Sequence, residues 1–313
     1  MISIFVAVTD FDWYQYLAAQ PNLEEVNFWQ PGGKTAFKAL QPGELFLFKL
    51  HSPRNYIVGG GIFGHATFLP VSMAWETFTR SNGATSLAEM RARVARYRRE
   101  QPDHRQDYQI GCRLLEQPFF FPEDQWIPVP QSWSPNIVVG KSFSANDGDG
   151  RYLWDAVQDR LQGQGLPMAA PRTTIDEAPI RRYGAPTLIT PRLGQGTFRV
   201  AVTDSYGRRC AVTGEKTLPI LDAAHIKDFG EGGDHTVDNG LLLRTDIHRL
   251  FDRGYVTVSG DHRFVVSRRL KEDFDNGRHY YELHGQTVRA PELPAAKPSA
   301  TALTWHWDNR FLG

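Results

Sequence analysis

From Met1 to about Trp133 short apolar runs alternate with Gly and Pro, most clearly in Glu44–Lys49 and Tyr56–Phe63. Runs of this length between turn formers predict strands. Ile2–Val8 is also apolar, but it has no basic leader and stops at Asp10. It predicts a buried first strand, not a secretory signal or a membrane span. Helical spacing breaks in twice, over Ser72–Arg80 and over Leu87–Arg99, where Leu87, Met90, Val94 and Tyr97 recur on one side. The pattern predicts a mixed, curved sheet with a few helices.

Tyr152–Leu161 predicts another helix, with Leu153, Trp154, Val157 and Leu161 on one side. Gln162–Pro191 is rich in Gly, Pro, Thr and Arg without a sustained apolar period, which is the composition of a linker. Beyond it the pattern predicts a helix over Thr197–Tyr206, strands over Pro219–Ile226 and Asn239–Arg244, and a helix over Thr245–Phe251. A hairpin of Val256–Val258 and Arg263–Val266 follows around Ser259-Gly260-Asp261, and a Pro-rich tail closes with Trp305, Trp307 and Phe311. The fold class expected is α+β, with domains at 1–161 and 192–313 joined by a linker at 162–191.

Composition sharpens this in three ways. A chain of 313 residues exceeds the ~100 to 200 usual for one domain, and its 41% hydrophobic content is ample for two cores. Two cysteines, Cys112 and Cys210, are too few for a disulfide framework, which points to a reducing cytoplasm, and with Ile2–Val8 set aside as a span no membrane partner is expected. The formal net charge is zero, which argues against a phosphate-binding surface, yet it divides into +3 from residue 181 onward and −3 before it.

The chemistry is concentrated in 31 residues. Asp222-Ala-Ala-His225-Ile226, Asp238-Asn239-Gly-Leu-Leu-Leu243 and His248-Arg-Leu-Phe-Asp252-Arg-Gly254 gather two histidines, an asparagine and candidate carboxylates in the order strand, long loop, strand, helix. This segment resembles the HNH nuclease family, the ββα-metal fold, and the likeness runs over roughly 195–290. The resemblance implies that Asn239 pins the intervening loop through backbone hydrogen bonds and that His248 binds a metal. Chemistry independently suits His225 to the general base. Phosphodiester hydrolysis needs water made nucleophilic, a base for its proton and a cation for the developing charge. Histidine, with an unperturbed pKa of ~6.5, accepts that proton at neutral pH.

Many members of the family carry a metal-binding Asp or His just before the base, where this chain has Ala224. Asp222, two positions earlier on the strand, and Asp252, one helical turn after His248, are the substitutes. Asp222 could instead pair with an arginine and Asp252 could cap the turn before Gly254. With His248 either carboxylate makes a mixed N/O site suited to Mg²⁺, Mn²⁺ or Ni²⁺. His235, in the polar loop 230–238, is expected in solvent. Cys210-Ala-Val-Thr213 supplies one cysteine where some members have a paired motif, so a structural zinc is not expected.

The first ~150 residues resemble the PUA-like group, including EVE and SRA-type readers of modified bases. The likeness rests on Val26–Pro31, Leu40–Lys49 and Ile57–Phe63, which look like strands of a small curved barrel. Phe28 and Trp29 could give the aromatic face an extracted base needs, although core is the commoner fate of Phe and Trp. The arginines between Arg91 and Arg99 could touch phosphate or form a solvated face. Together the halves imply a modification-dependent restriction endonuclease that reads a modified cytosine in DNA, with a homodimer as the economical way to cut both strands. Two alternatives stand beside it: a low-selectivity HNH effector gated by a nucleotide or protein, and an inactive reader, which Ala224 would explain.

Overall fold

The computed structural model describes residues 2–32, 35–101, 105, 107–163 and 193–313. Of the expected linker, 162 and 163 close a helix and the rest lies outside the described residues. The chain divides into two compact units, Met1–Pro191 and Arg192–Gly313.

In the first unit the elements are β1 (Ser3–Thr9), α1 (Phe11–Ala18), β2 (Glu25–Gln30), β3 (Leu45–Leu50), β4 (Tyr56–Pro70), α2 (Val71–Phe78), α3 (Leu87–Arg98), β5 (Gln109–Phe120), β6 (Ile127–Pro128), β7 (Gly140–Ser144) and α4 (Gly148–Gly163). One sheet runs in the order β2-β5-β4-β3-β1-β7, with β6 added to β4. Only the β1–β3 pairing is parallel.

The sheet is open, with β2 and β7 at the ends of its path, so the curved barrel that the resemblance implied does not close. Helices explain why closure is unnecessary. Leu153, Trp154, Val157 and Leu161 of α4 pack with Ile4, Val6, Leu45 and Leu47 in one core. Trp13, Tyr14 and Leu17 of α1 pack with Ala7, Phe46 and Phe48 in another. Both faces of the central strands are therefore covered, and β3, Leu45-Phe-Leu-Phe-Lys-Leu50, is buried at every position. A strand buried on both sides reads as a continuous apolar run, not an alternating one.

The second unit contains α5 (Gln195–Ser205), β8 (Leu221–His225), β9 (Gly240–Arg244), α6 (Thr245–Asp252), β10 (Val256–Val258), β11 (Phe264–Val266), α7 (Arg269–Phe274), α8 (Arg278–Tyr281) and α9 (Ala300–Asn309). β8 and β9 pair antiparallel, Asp222 opposite Leu243 and His225 opposite Gly240, and β10 and β11 form the second hairpin. One core joins Phe198 and Val202 of α5, Leu241–Leu243 of β9, Ile247 and Phe251 of α6 and Leu303 of α9.

The Pro-rich tail, for which the sequence pattern predicts no element, contains α9. Ser299 starts it by accepting from the backbone N–H of Ala302, an N-cap placed just after Pro298. No described helix is long and apolar enough to cross a membrane.

Candidate active site

The hairpin β8–β9 and the helix α6 bring the chemical residues of the second unit together. β9 runs straight into α6, whose Ile247 and Phe251 are buried. His248 and Asp252 each follow a buried residue by one position, so they share the neighbouring, half-open face. There His248 lies between two carboxylates, with Nδ1 3.4 Å from Asp222 Oδ2 and Nε2 3.4 Å from Asp252 Oδ2. Desolvation pulls its pKa down, but Asp252 and then Asp222 outweigh that and hold it above the usual histidine value. Ala224, the position before the base, is fully buried in the core.

His225 sits at the end of β8 with its ring flat against Phe198 of α5, the centroids 3.9 Å apart and the planes 10° from parallel. Burial first, and then the nearby His235, push its pKa down to about 4. The ring is therefore neutral at physiological pH and has a lone pair to offer.

Asn239 is buried and ties the loop between the strands at two places. Its Oδ1 accepts from the Lys227 backbone N–H at 2.9 Å, and its Nδ2 donates to the carbonyls of Lys227 and Asp234, each at 2.9 Å. The loop passes so close that a Cβ on Gly233 would stand 2.0 Å from the Lys227 carbonyl oxygen. Only glycine fits this approach.

His235, expected in solvent, instead meets the candidate base: its Nδ1 lies 3.4 Å from His225 Nε2. Phe229 packs on its other side, ring centroids 4.6 Å apart. Sequence spacing could not reveal this, because His235 lies in a polar loop without period; the one available signal was a third histidine within the same span.

A divalent cation is the group an HNH endonuclease generally uses, and the donors around His248 suit one. They are an imidazole and two carboxylates, and neither carboxylate is paired with an arginine or lysine among the described residues. Asp222 and Asp252 face opposite nitrogens of the ring, so as they stand no three His, Cys, Asp or Glu side chains of the described residues converge on one metal position. One nitrogen of His248 and one carboxylate can serve together, a sparse protein donor set of the kind that leaves room for water and phosphate oxygens.

The first unit has a separate cavity of about 360 Å³. Phe28 and Trp29 both line it, but in different ways. Phe28 is buried among Trp13, Phe46 and Phe48, so it belongs to the core and gives the cavity its floor. Trp29 is half-buried, its indole N–H donating to the Asn82 carbonyl at 2.9 Å and its ring edge-on to Tyr97. The polar wall is Asp10, which accepts from the Tyr97 hydroxyl and faces His51 Nε2 at 3.4 Å and Arg96 Nη2 at 3.6 Å. The arginine run on α3 is largely engaged: Arg93 pairs with Asp12 and Glu89, and Arg98 donates to the carbonyls of Pro31 and Gln109.

Residues 210–259 match the family model described as HNH endonuclease, so the second unit contains an HNH endonuclease domain, and with it a nuclease. All the residues placed above around His225 and His248, apart from Phe198, fall inside that match. Among solved structures the chain is similar to an ASCH protein from Zymomonas mobilis, at 9% identity and TM-score 0.33, over 49% of this chain and 94% of that one. It is also similar to the modification-dependent TagI restriction endonuclease, at 12% identity and TM-score 0.31, over 98% of this chain and 81% of that one. No curated protein matches. The TM-scores are too low for either likeness to bear on mechanism.

Proposed function

We propose that the protein is a restriction endonuclease that cuts DNA carrying a modified base, a modified cytosine, with the first unit reading the base and the second hydrolysing the phosphodiester. The observation that carries the chemistry is the meeting of His225, Asn239 and the His248 carboxylate pair on one strand–strand–helix unit within the HNH segment.

In this reading His225 takes the proton of the attacking water. A neutral pair of facing rings shares one hydrogen. If His225 Nε2–H donates to His235 Nδ1, then His225 Nδ1 is left free for the water's proton, and His235 helps to hold the cation that results. Phe198 fixes the ring plane from below. Asn239 keeps the loop, and with it His235, at working distance. His248 with Asp222 or Asp252 would hold the divalent cation, which when bound supplies charge stabilisation to the phosphate and the leaving oxygen.

The reading role rests on the first unit's cavity, whose size falls in the range of small-ligand sites, roughly 300 to 1,000 Å³. An extracted base needs an aromatic face and a few polar groups to test its edge. Trp29 offers the face, with Asp10 and Tyr97 as the polar test. A cleavage panel of methylated, hydroxymethylated, glucosylated and plain DNA, each with Mg²⁺, Mn²⁺ or Ni²⁺, checks both roles. Preferred cutting of one modified DNA is expected; equal cutting of all would leave a nuclease without base selectivity.

A further inference from the structure

Arg113 of β5 is a buried cation with no counter-ion among the described residues. Its side chain is almost wholly out of solvent, and no carboxylate lies within ion-pair distance of it among the described residues. Its guanidinium rests 4.7 Å from the centre of the Phe37 ring. Among the described residues Nε and Nη1 have no hydrogen-bond partner, and Nη2 donates to Gln30 Oε1 at 2.5 Å. Burial pulls its pKa down to about 10, so it stays charged at neutral pH. A charge held this way is costly, and the hydrogen bond from Nη2 goes to a residue that lines the cavity of the first unit.

That bond settles which way the Gln30 amide faces. Arginine carries donors and no acceptor, so the amide oxygen must be the atom turned to Arg113 and the NH₂ group must turn away. Gln30 Nε2 has no partner among the described residues and is not among the buried unpartnered atoms. Gly111, opposite Gln30 in the strand pairing, adds no side chain to intervene. Of the polar residues that line the cavity, Tyr97 and His51 are turned to Asp10 and Arg93 is paired with Asp12 and Glu89, which leaves the Gln30 NH₂ as a donor without a partner among the described residues beside the Asp10 carboxylate as an acceptor.

We propose that Arg113 is a positioning residue that locks Gln30 as a hydrogen-bond donor, so that the cavity selects an amino-bearing pyrimidine, cytosine, over uracil or thymine with the same 5-substituent. This rests on the base-reading role proposed above. Cytosine has an amino donor at N4 beside acceptors at N3 and O2, which complements a carboxylate beside an amide NH₂. Uracil and thymine present an acceptor at O4 and a donor at N3, so they would set oxygen against Asp10 and N–H against the Gln30 donor.

The test measures binding of the full chain, without divalent metal, to duplexes carrying one 5-methyl-, 5-hydroxymethyl- or glucosylated hydroxymethylcytosine, the matching uracils and unmodified DNA. Wild type is expected to favour one modified cytosine over its uracil by about tenfold or more, the scale of a good base-edge contact. Gln30→Glu, which keeps a partner for Arg113 but loses the donor, should bring that ratio close to one. Arg113→Met should do the same while its melting temperature stays level or rises, because an apolar side chain of similar size relieves the buried charge. A wild type that prefers no modified cytosine over plain DNA overturns the base-reading role and this proposal with it. A wild type that prefers modified DNA but binds cytosine and uracil forms alike overturns this proposal alone. So does a cytosine-to-uracil ratio unchanged in Gln30→Glu, or unchanged in a folded Arg113→Met. Should Arg113→Met fail to fold, the Gln30→Glu ratio decides.

Discussion

The cutting site and the cavity of the first unit are assembled in opposite ways. Asp222, His225, His235, Asn239, His248 and Asp252 all come from residues 222–252, folded by one hairpin and the helix that continues it. The cavity draws Asp10 from the turn after β1, Gln30 from β2, His51 from beyond β3 and Tyr97 from α3, with Val139 from just before β7. A hairpin fixes its own register locally, whereas a cavity built from distant segments exists only after the whole sheet has formed. The site of the second unit can therefore keep its geometry while the cavity of the first changes, and under the proposed division of labour the two should fail independently under mutation.

His225→Ala gives the largest expected effect. General-base catalysis is worth about 10² to 10⁴-fold, and the loss should fall on the turnover rate with DNA binding intact. Measuring both on the same variant checks this, and a loss below about tenfold would remove His225 from the mechanism.

Acid should strike the cutting unit next. Burial holds His225 and His306 near pKa 4, well below the ~6.5 of an unfolded chain. His306 is buried, its Nε2 3.1 Å from the Phe251 carbonyl and its Nδ1 2.8 Å from the Thr257 hydroxyl, an arrangement that suits a neutral ring. The unfolded chain then takes up protons first as pH falls, so the stability is fully present above ~6.5 and is lost from there down to about 4. His306 alone contributes roughly 3 kcal/mol at the limit. His248, raised instead, adds stability that is present below ~6.5 and is lost as pH rises through its folded value, which offsets part of this slope. Denaturant melts of wild type and His306→Gln between pH 4 and 8 should show the variant less stable but less sensitive to pH. Parallel slopes would mean that His306 is not neutral in the fold.

His235→Ala should do least, slowing cleavage by less than about tenfold, since it supports the base without contacting water or phosphate. A hundredfold loss would place it among the reacting groups.

The same contrast decided what the sequence disclosed. The strands and helix of the hairpin were legible because the alternation around His225, the Leu241–Leu243 run and the Ile247–Phe251 spacing each carry a local period. His235 was hidden because a loop has none. In the first unit, apolar runs revealed β1, β3 and the first half of β4, but β5 mixes Arg113 and Glu116 into a buried strand and so masks its own pattern. Phe28 and Trp29 are adjacent on β2 and face opposite ways, one into the core and one toward Tyr97. That difference follows from pairing with β5, which sequence alone does not supply. Helix α1, Phe11–Ala18, was missed because Phe11, Trp13, Tyr14, Tyr16 and Leu17 are spread around it and blur a helical period.

The division of labour is tested most directly by one digest: modified and plain copies of the same DNA, cut by the wild type and by Trp29→Ala. Stacking on an aromatic face is worth about 1 to 3 kcal/mol per base, so Trp29→Ala should lower the preference for modified DNA by roughly five- to 150-fold. Cutting of plain DNA should continue at the wild-type rate. A variant that keeps the full preference, or that loses cutting of both DNAs together, would contradict a reading unit and a cutting unit that work separately.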